Sequence, residues 1–222
     1  MSETLLSISR SLSADVKTLA TISHNVANLN TPGYRGVRSI PQFDASDVRT
    51  GLDQRDGGVA QTARELDVAL RGAGFFVIER DGQPLLMRGG NFRVDAEGLL
   101  ATSRGDRVHG DAGPIAVPVG GVRIDAKGEM WQGTQSMGRL RIVDVADAAR
   151  LRPAGDGAYA YDGEVSTFKG TVMQGSLEQA NVDPADETVR LMETTRHAES
   201  LQRAISIYDR AMDVGINRLG EN

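Results

Sequence analysis

Residues 3–33 read ETLLSISRSLSADVKTLATISHNVANLNTPG, and an apolar residue recurs in this stretch at alternating steps of three and four. The positions are Leu5, Ile8, Leu12, Leu19, Ile22, Val26 and Leu29, and Asp15 interrupts the series. This spacing is typical of the buried seam of a helix that packs against another helix. Pro32 and Gly33 break helices, so the pattern predicts one long helix within residues 1–32.

The same spacing returns at the other end of the chain. Asp183 suits the N-cap of a helix and Pro184 suits the first helical position. The series that follows is Leu191, Thr194, Ala198, Leu201, Ile205, Tyr208, Met212, Gly215 and Leu219. We therefore predict a second long helix within residues 176–222, and we expect it to pair with the first.

Glycine separates these helices from the middle of the chain. Of the 26 glycines, 24 lie between Gly33 and Gly175. Glycine destabilises helices and favours tight turns, which indicates a turn-rich β region. We predict an α+β protein with a coiled-coil-like layer of terminal helices, an extended connector over residues 33–63 and an all-β domain over residues 64–175.

Short apolar runs within the middle region predict its strands. Residues 75–78, FFVI, indicate a buried strand, and Asp81-Gly82 is a hairpin turn dipeptide. The sequences VDAEG at 94–98 and IDAKG at 124–128 share one pattern and predict two equivalent strand-turn-strand units. Further strands are expected at residues 140–145, 159–161 and 172–173.

Composition excludes several functions. The formal net charge is −5 and aromatic residues make up 5% of the chain, which argues against nucleic-acid binding. The chain has no cysteine, so thiolate catalysis and cysteine metal sites are excluded. No apolar run is long enough to span a membrane, and the N-terminal residues lack the pattern of a secretory signal peptide.

The sequence contains no recognisable catalytic constellation. His24, His109 and His197 are isolated from one another, and no metal-ligand spacing is present. We predict no catalytic residue, no metal and no cofactor. Two alternatives stay open: a small hydrolase that uses Ser136 or His109, and a soluble β module that binds a ligand.

The end of the first helical segment, HNVANLNTPGYRG at residues 24–36, crowds three asparagines into six positions. It resembles the N-terminal signature of bacterial flagellar basal-body rod and hook proteins. Residues 66–108, LDVALRGAGFFVIERDGQPLLMRGGNFRVDAEGLLATSRGDRV, are similar to the start of their β domain. Residues 175–199, GSLEQANVDPADETVRLMETTRHAE, are similar to their C-terminal signature.

This resemblance implies a structural subunit of the flagellar rod, of the proximal type, with the distal type as the alternative. Such a subunit would assemble with its own copies and with neighbouring rod proteins in the periplasm. It would be made in the cytoplasm and leave through the flagellar type III export apparatus without a cleaved signal peptide, and it would neither bind nucleic acid nor insert into the membrane. The residues implied in subunit contacts are the two apolar series together with Asn25, Asn28, Asn30, Thr31, Pro32, Gly33, Tyr34 and Asn181.

Overall fold

A computed structural model of the chain describes residues 3–40 and 49–220. They form two compact units. We call the described parts of residues 1–27, 37–50 and 183–222 the helical unit, and those of residues 28–36 and 51–182 the β unit. Two helices and a large sheet-rich region confirm the predicted α+β class.

The bounds of the elements are as follows. The helices are α1 (Glu3–Ala27), α2 (Pro184–Gly220) and a short 3-10 helix (Ala148–Arg150). The strands are β1 (Val37–Ile40), β2 (Arg49–Leu52), β3 (Val59–Gln61), β4 (Val68–Arg71), β5 (Phe75–Arg80), β6 (Gln83–Met87), β7 (Arg93–Val94), β8 (Leu100–Ala101), β9 (Arg107–Gly110), β10 (Gly113–Pro114), β11 (Arg123–Ile124), β12 (Glu129–Gln132), β13 (Gln135–Arg139), β14 (Ile142–Val145), β15 (Arg152–Pro153), β16 (Ala158–Ala160), β17 (Val165–Thr167), β18 (Thr171–Gln174) and β19 (Ser176–Glu178).

Helix α1 ends earlier than the sequence pattern predicts. Its last residue is Ala27, and the chain then turns, with the Thr31 N–H donating to the Asn28 carbonyl over 3.0 Å. Asparagine favours turns over helix because its amide competes for backbone partners. Leu29 therefore lies outside the helix whose apolar series it was predicted to continue.

Helix α2 begins as predicted. The Asp183 carboxylate accepts the Ala185 N–H over 2.8 Å, and Pro184 is the first helical residue. This cap satisfies a backbone donor that has no partner within the helix, and Pro184 has no N–H to satisfy.

The two helices pack against each other within the helical unit. Asp15 of α1 lies 2.8 Å from His197 of α2, measured from Oδ2 to Nδ1. Asn25, later in α1, borders the same groove as Glu187, earlier in α2. The helices therefore run antiparallel, and the polar residue that interrupts the apolar series of α1 has a partner on α2.

A ten-stranded antiparallel sheet dominates the β unit. Its strands follow the order β15-β16-β6-β5-β9-β8-β7, while β14 pairs with β5 and β17, and β10 pairs with β9. Strand β5 is central because it pairs with β6 along one edge and with β9 and β14 along the other. The predicted strands at residues 140–145, 159–161 and 172–173 correspond to β14, β16 and β18.

Strand β5 carries the core on both of its faces. Phe76 and Ile78 belong to the larger buried cluster, and Phe75 and Val77 belong to a smaller one. The alternation follows from the two-residue period of a strand. The larger cluster includes an edge-to-face contact between Phe76 and Phe92, with ring centroids 5.0 Å apart. The prediction of a buried strand at residues 75–78 is confirmed.

The turns predicted from sequence are also confirmed. Asp81 and Gly82 both have positive φ, 51° and 75°, as the two-residue turn between β5 and β6 requires. Asp95 and Asp125 head identical turns, since each carboxylate accepts the N–H groups two and four residues later. The repeated pattern thus encodes one turn geometry twice, between β7 and β8 and between β11 and β12.

The segment expected to be an extended connector, residues 33–63, contains short paired strands where it is described. Strands β1 and β2 form a two-stranded sheet, and β3 pairs with β19. The part of the connector at residues 41–48 lies outside the described residues. Pairing of β3 with β19 and of β4 with β18 brings residues 171–178 beside residues 59–71.

Candidate assembly site and its supporting clasp

Residues 28–36, NLNTPGYRG, form a loop of the β unit that we call the PGY loop. The Gly33 N–H donates to the Glu178 carbonyl over 2.7 Å, and the Asn181 N–H donates to the Tyr34 carbonyl over 3.2 Å. The Gly36 N–H donates to Asn181 Oδ1 over 2.7 Å. The loop is therefore held by the segment just before α2, so that the segment after α1 and the segment before α2 are joined inside the β unit.

The Asn181 amide also bonds to a third segment. Its Nδ2 donates to the carbonyl oxygens of Asp53 and Arg55 over 2.9 and 2.8 Å. With its Oδ1 accepting from Gly36, the amide uses both its donor and its acceptor functions. Asn181 was predicted from the resemblance to take part in subunit contacts, and the structure places its amide in bonds within the chain.

Glycine is required where the PGY loop meets the irregular segment that follows β6. Gly33 has a φ of +68°, and a Cβ there would lie 2.5 Å from the Arg88 carbonyl carbon. A Cβ on Gly89 would lie 2.6 Å from the Pro32 oxygen. Both positions place backbone directly against backbone, so any side chain would force the loop away.

Arg88 lies beneath this contact and is fully buried. The guanidinium has acceptors for all five of its N–H donors. They are Glu178 Oε2 at 2.5 Å from Nε, the Gly72 and Gly74 carbonyls at 2.6 Å from Nη1, and Asp56 Oδ1 and the Leu70 carbonyl at 3.2 and 3.0 Å from Nη2. The residue is 0% exposed, which such complete pairing makes tolerable.

Arg35 of the PGY loop shares the same two carboxylates. Its Nη2 lies 3.0 Å from Asp56 Oδ1 and 3.3 Å from Glu178 Oε1. We call Arg35, Asp56, Arg88 and Glu178 the ion-pair cluster. Two cations and two anions balance, so the cluster carries no net charge into the interior.

The protonation of the cluster follows from its geometry. Burial would raise the pKa of Asp56, but the Gly72 N–H and the guanidinium groups of Arg35 and Arg88 outweigh burial and lower it. Burial lowers the pKa of Arg88, and the charges of Glu178 and Asp56 counter that effect. The cluster is a structural network of ion pairs that joins the PGY loop, the segment between β2 and β3, the residue after β6, and β19.

The helices of the helical unit bury little apolar surface by themselves. Among the described side chains of this unit, Ile22 is the only buried hydrophobic one. The half-buried members of the predicted series are Leu5, Ile8, Leu12, Leu19, Thr194, Ala198, Leu201, Ile205 and Tyr208. Val26 and Leu191 are exposed, and the side chains of Met212 and Leu219 lie outside the described part of the chain.

Seven of the described large hydrophobic side chains of the two helices are exposed, Val26 and Leu191 among them. They are Leu6, Val16, Val26, Val189, Leu191, Met192 and Ile207. Several apolar residues exposed on one unit are a typical feature of an interaction surface. This set, with the half-buried series, is the candidate assembly site of the chain.

Three family models match the chain. They are the flagella basal body rod protein over residues 7–35, the flagellar hook protein FlgE/F/G D1 domain over residues 69–131, and the flagellar basal body rod FlgEFG protein C-terminal over residues 173–219. The flagellar basal-body rod protein FlgF of Escherichia coli strain K12 is 31% identical, and the match covers 86% of this chain and 87% of that protein.

The chain belongs to the flagellar basal-body rod protein family. FlgF of Caulobacter vibrioides is 27% identical over 90% of this chain and 91% of its own length. The rod protein FlgG of Agrobacterium fabrum is 28% identical over 89% of this chain and 92% of its own length. The resemblance inferred from the three signature segments is confirmed.

The rod-family signature at the N-terminus divides between the two units. Asn25 is buried in the helical unit, where its Oδ1 accepts the Val37 N–H over 2.8 Å and its Nδ2 donates to the Val37 carbonyl over 2.9 Å. The amide thus bonds to β1 in the way that a neighbouring strand would. In the β unit, Thr31 Oγ1 donates to Asn28 Oδ1 over 3.2 Å.

The remaining residues of this signature lie in the PGY loop. Gly33 and Tyr34 are buried, Leu29 and Pro32 are half-buried, and Asn30 is exposed. Their participation in contacts between subunits stays a prediction.

Sequence reasoning missed the ion-pair cluster. Asp56, for which the sequence predicted no role, contacts two guanidinium groups. One signal was available, because Arg88 interrupts an apolar run just before Gly89 and Gly90. A charge at such a position needs a buried partner, but sequence alone does not identify Glu178, which lies 90 residues away.

The residues of the hydrolase alternative have separate partners. His109 Nε2 lies 3.0 Å from Glu79 Oε2, and Ser136 Oγ lies 3.5 Å from Glu129 Oε1. Over residues 3–40 and 49–220, no group of three histidine, cysteine or acidic side chains is placed to hold a metal ion. No helix in the same ranges is long and apolar enough to cross a membrane.

Proposed function

We propose that this chain is a structural subunit of the proximal flagellar rod. The observation that carries the proposal is the exposed apolar surface of α1 and α2, whereas the β unit buries its own hydrophobic clusters. A helix pair with one buried hydrophobic side chain among those described is poorly stabilised in isolation, because ordering a helix costs more free energy than so little burial returns. Packing of copies around a common axis supplies the missing burial.

In this proposal the helices of successive subunits form a coiled-coil-like layer. The half-buried series of α1 and α2 supplies the contacts, and the ion-pair cluster fixes, within the β unit, the loop that follows α1 and the strand β19 that precedes α2 in the chain. Torque would then pass from subunit to subunit through many buried apolar contacts. A protein with this role needs stiffness rather than a reacting site, so we propose no enzymatic activity.

The proximal assignment rests on the relatives. Those named FlgF include the Escherichia coli protein, which is 31% identical, and those named FlgG include the Agrobacterium fabrum protein, which is 28% identical. We extend from the family the remaining parts of the proposal: a place within the periplasm, export by the flagellar type III apparatus and contact with other rod proteins. A distal rod position is the second candidate.

Removal of the gene tests the proposed function directly. We expect the deletion strain to lose motility and to contain basal bodies without a completed rod, as seen by electron microscopy. Restoring the chain with an added peptide tag, followed by gold labelling of isolated basal bodies, locates it. Label at the inner part of the rod supports the proximal assignment, and label at the outer part supports the distal one. Complete basal bodies in the deletion strain would refute both.

A further inference from the structure

A polar groove lies between α1 and α2 in the helical unit, with a volume of about 290 Å³. Thr18, Thr21 and Asn25 line it from α1, and Glu187, Glu193 and Thr194 line it from α2. The groove is thus built by the two helices whose apolar residues form the candidate assembly site.

A buried carboxylate at this groove is only half satisfied. Glu187 is 0% exposed, and its Oε1 accepts from Arg38 Nη1 over 3.0 Å. Its Oε2 has no hydrogen-bond partner among the described residues. An unsatisfied buried oxygen is costly, and more so when it belongs to a charged group. The site therefore favours a hydrogen-bond donor that comes from outside the described chain.

The other polar groups of the groove also offer acceptors. The hydroxyls of Thr18, Thr21 and Thr194 each donate to the carbonyl four residues earlier in their own helix, over 2.8 to 3.0 Å. Each hydroxyl oxygen retains a lone pair for an incoming donor. Glu193 adds a second carboxylate to the lining. An ammonium or guanidinium group matches such a set, because it carries several donors and a positive charge.

The surroundings of the groove indicate where that group comes from. Leu191 lies one helical turn after Glu187 on the same face of α2 and is 43% exposed, and the preceding residue, Arg190, lines the groove. Apolar surface that is continuous with a polar socket is the usual composition of a protein interface. A neighbouring subunit covering Leu191 would bring its side chains to Glu187.

We infer that this groove is a socket in which Glu187 receives a lysine or arginine side chain from an adjacent rod subunit. The inference rests on the proposed function, since it needs an assembled rod. The incoming cation bonds to Glu187 Oε2 while Arg38 keeps Oε1, so the buried carboxylate becomes fully paired only on assembly.

Two substitutions in the full-length chain separate this socket from an internal ion pair. Glu187→Gln keeps the shape and a carbonyl oxygen for Arg38, but it removes the negative charge. Arg38→Gln removes the internal partner and leaves the carboxylate available to the neighbour. We expect Glu187→Gln to reduce the number of completed rods about tenfold or more, the loss typical of a charged hydrogen bond. We expect Arg38→Gln to change that number by less than about twofold, since the carboxylate remains.

Equal losses from the two substitutions would show that Glu187 serves only its bond to Arg38, and the inference would be wrong. Normal rods with Glu187→Gln would also overturn it, provided that deletion of the gene stops rod assembly. If the deletion itself leaves rods complete, the proposed function fails first. The measurement in each case is the count of completed basal bodies in micrographs of cells grown in parallel.

A third experiment leaves Glu187 intact and so avoids any effect of its substitution on folding. Glu193→p-benzoylphenylalanine places a photoreactive group on the lining of the groove. After illumination of assembled basal bodies, mass spectrometry should find cross-links to a peptide of another subunit, beside a lysine or arginine. Cross-links only within the same chain, or only to peptides without a basic residue at that point, would contradict the socket.

Discussion

The β unit and the helical unit of this chain satisfy their apolar side chains in different ways. Both hydrophobic clusters belong to the β unit, which packs β5 between two buried faces. In the helical unit, seven large hydrophobic side chains are exposed, and Ile22 is the only buried hydrophobic residue among those described. The comparison teaches that one chain can combine a domain with its own core and helices that leave apolar side chains exposed, which the proposed assembly would bury.

Two buried charged residues, Arg88 and Glu187, differ in the same way. In the β unit, Arg88 has an acceptor for every N–H, and its partners come from the same unit. In the helical unit, Glu187 is buried with one oxygen unpaired among the described residues. A complete network rigidifies its surroundings, whereas the half-paired Glu187 carboxylate is where the proposed socket would receive a partner.

The largest expected effect is a charge placed in the apolar series of α2. Leu201→Asp should abolish rod assembly and motility, because a carboxylate without a partner would be buried at the helix contacts. Gln202→Asp, on the exposed neighbouring position, should leave both intact. Swimming assays and basal-body counts measure the outcome. Normal motility with Leu201→Asp would contradict the view that the apolar side chains of the helical unit are buried on assembly.

Loss of a core ring should affect folding rather than assembly contacts. Phe76→Ala removes a fully buried ring and should lower the free energy of unfolding of the purified chain by about 3–5 kcal/mol. Ile207→Ala, at a position that is 66% exposed, should change it by less than about 0.5 kcal/mol. Urea titration followed by the fluorescence of Trp131, which lies in β12, reports on the β unit. Similar losses for both substitutions would contradict the comparison.

The ion-pair cluster should contribute more to the free energy of unfolding than an exposed ion pair does. Arg88→Met leaves the buried Glu178 carboxylate without its main partner and should lower the free energy of unfolding by about 3 kcal/mol. Arg152→Met, whose guanidinium lies at the surface 3.4 Å from Asp162, should lower it by less than about 1 kcal/mol. The same urea titration distinguishes them. Equal small losses would mean that the PGY loop does not depend on the cluster.

The smallest expected effect is a change in acid stability. The hydrogen bond from Arg80 lowers the pKa of Asp106 below the 3.8 usual for an aspartate side chain, and burial only partly opposes this effect. A lowered folded-state pKa stabilises the fold above the unfolded-state value, and the stabilisation is lost as the pH falls through the folded-state value. Asp106→Asn should therefore be less stable than the wild type by about 1.5–3 kcal/mol at pH 7.

The difference between Asp106→Asn and the wild type should shrink as the pH falls below 3.8, the range in which the wild-type carboxyl takes up its proton. Urea titrations at pH 7 and pH 3 measure both values. A difference that stays constant over this range would show that Asp106 contributes through packing rather than through its charge.

Local signals in the sequence predicted the elements that depend on neighbouring residues. The spacing of apolar residues located both helices, and Asp183-Pro184 marked the start of α2. Asp81-Gly82 identified a hairpin, and the two Asp-Ala-charged-Gly segments identified equivalent turns. These features are decided within a few residues, since helix periodicity, capping and positive φ are local properties.

What the sequence determined by itself was therefore the set of elements, the family signatures and the apolar series that needs partners. The tertiary structure decided the end of α1 before Pro32, the bond of Asn25 to Val37 and the burial of Arg88 with Glu178. Each of these depends on groups distant in the chain, and a buried charge is tolerated only where such groups arrive together. Local sequence patterns do not show which distant residues come into contact, so these contacts are seen only in the folded structure.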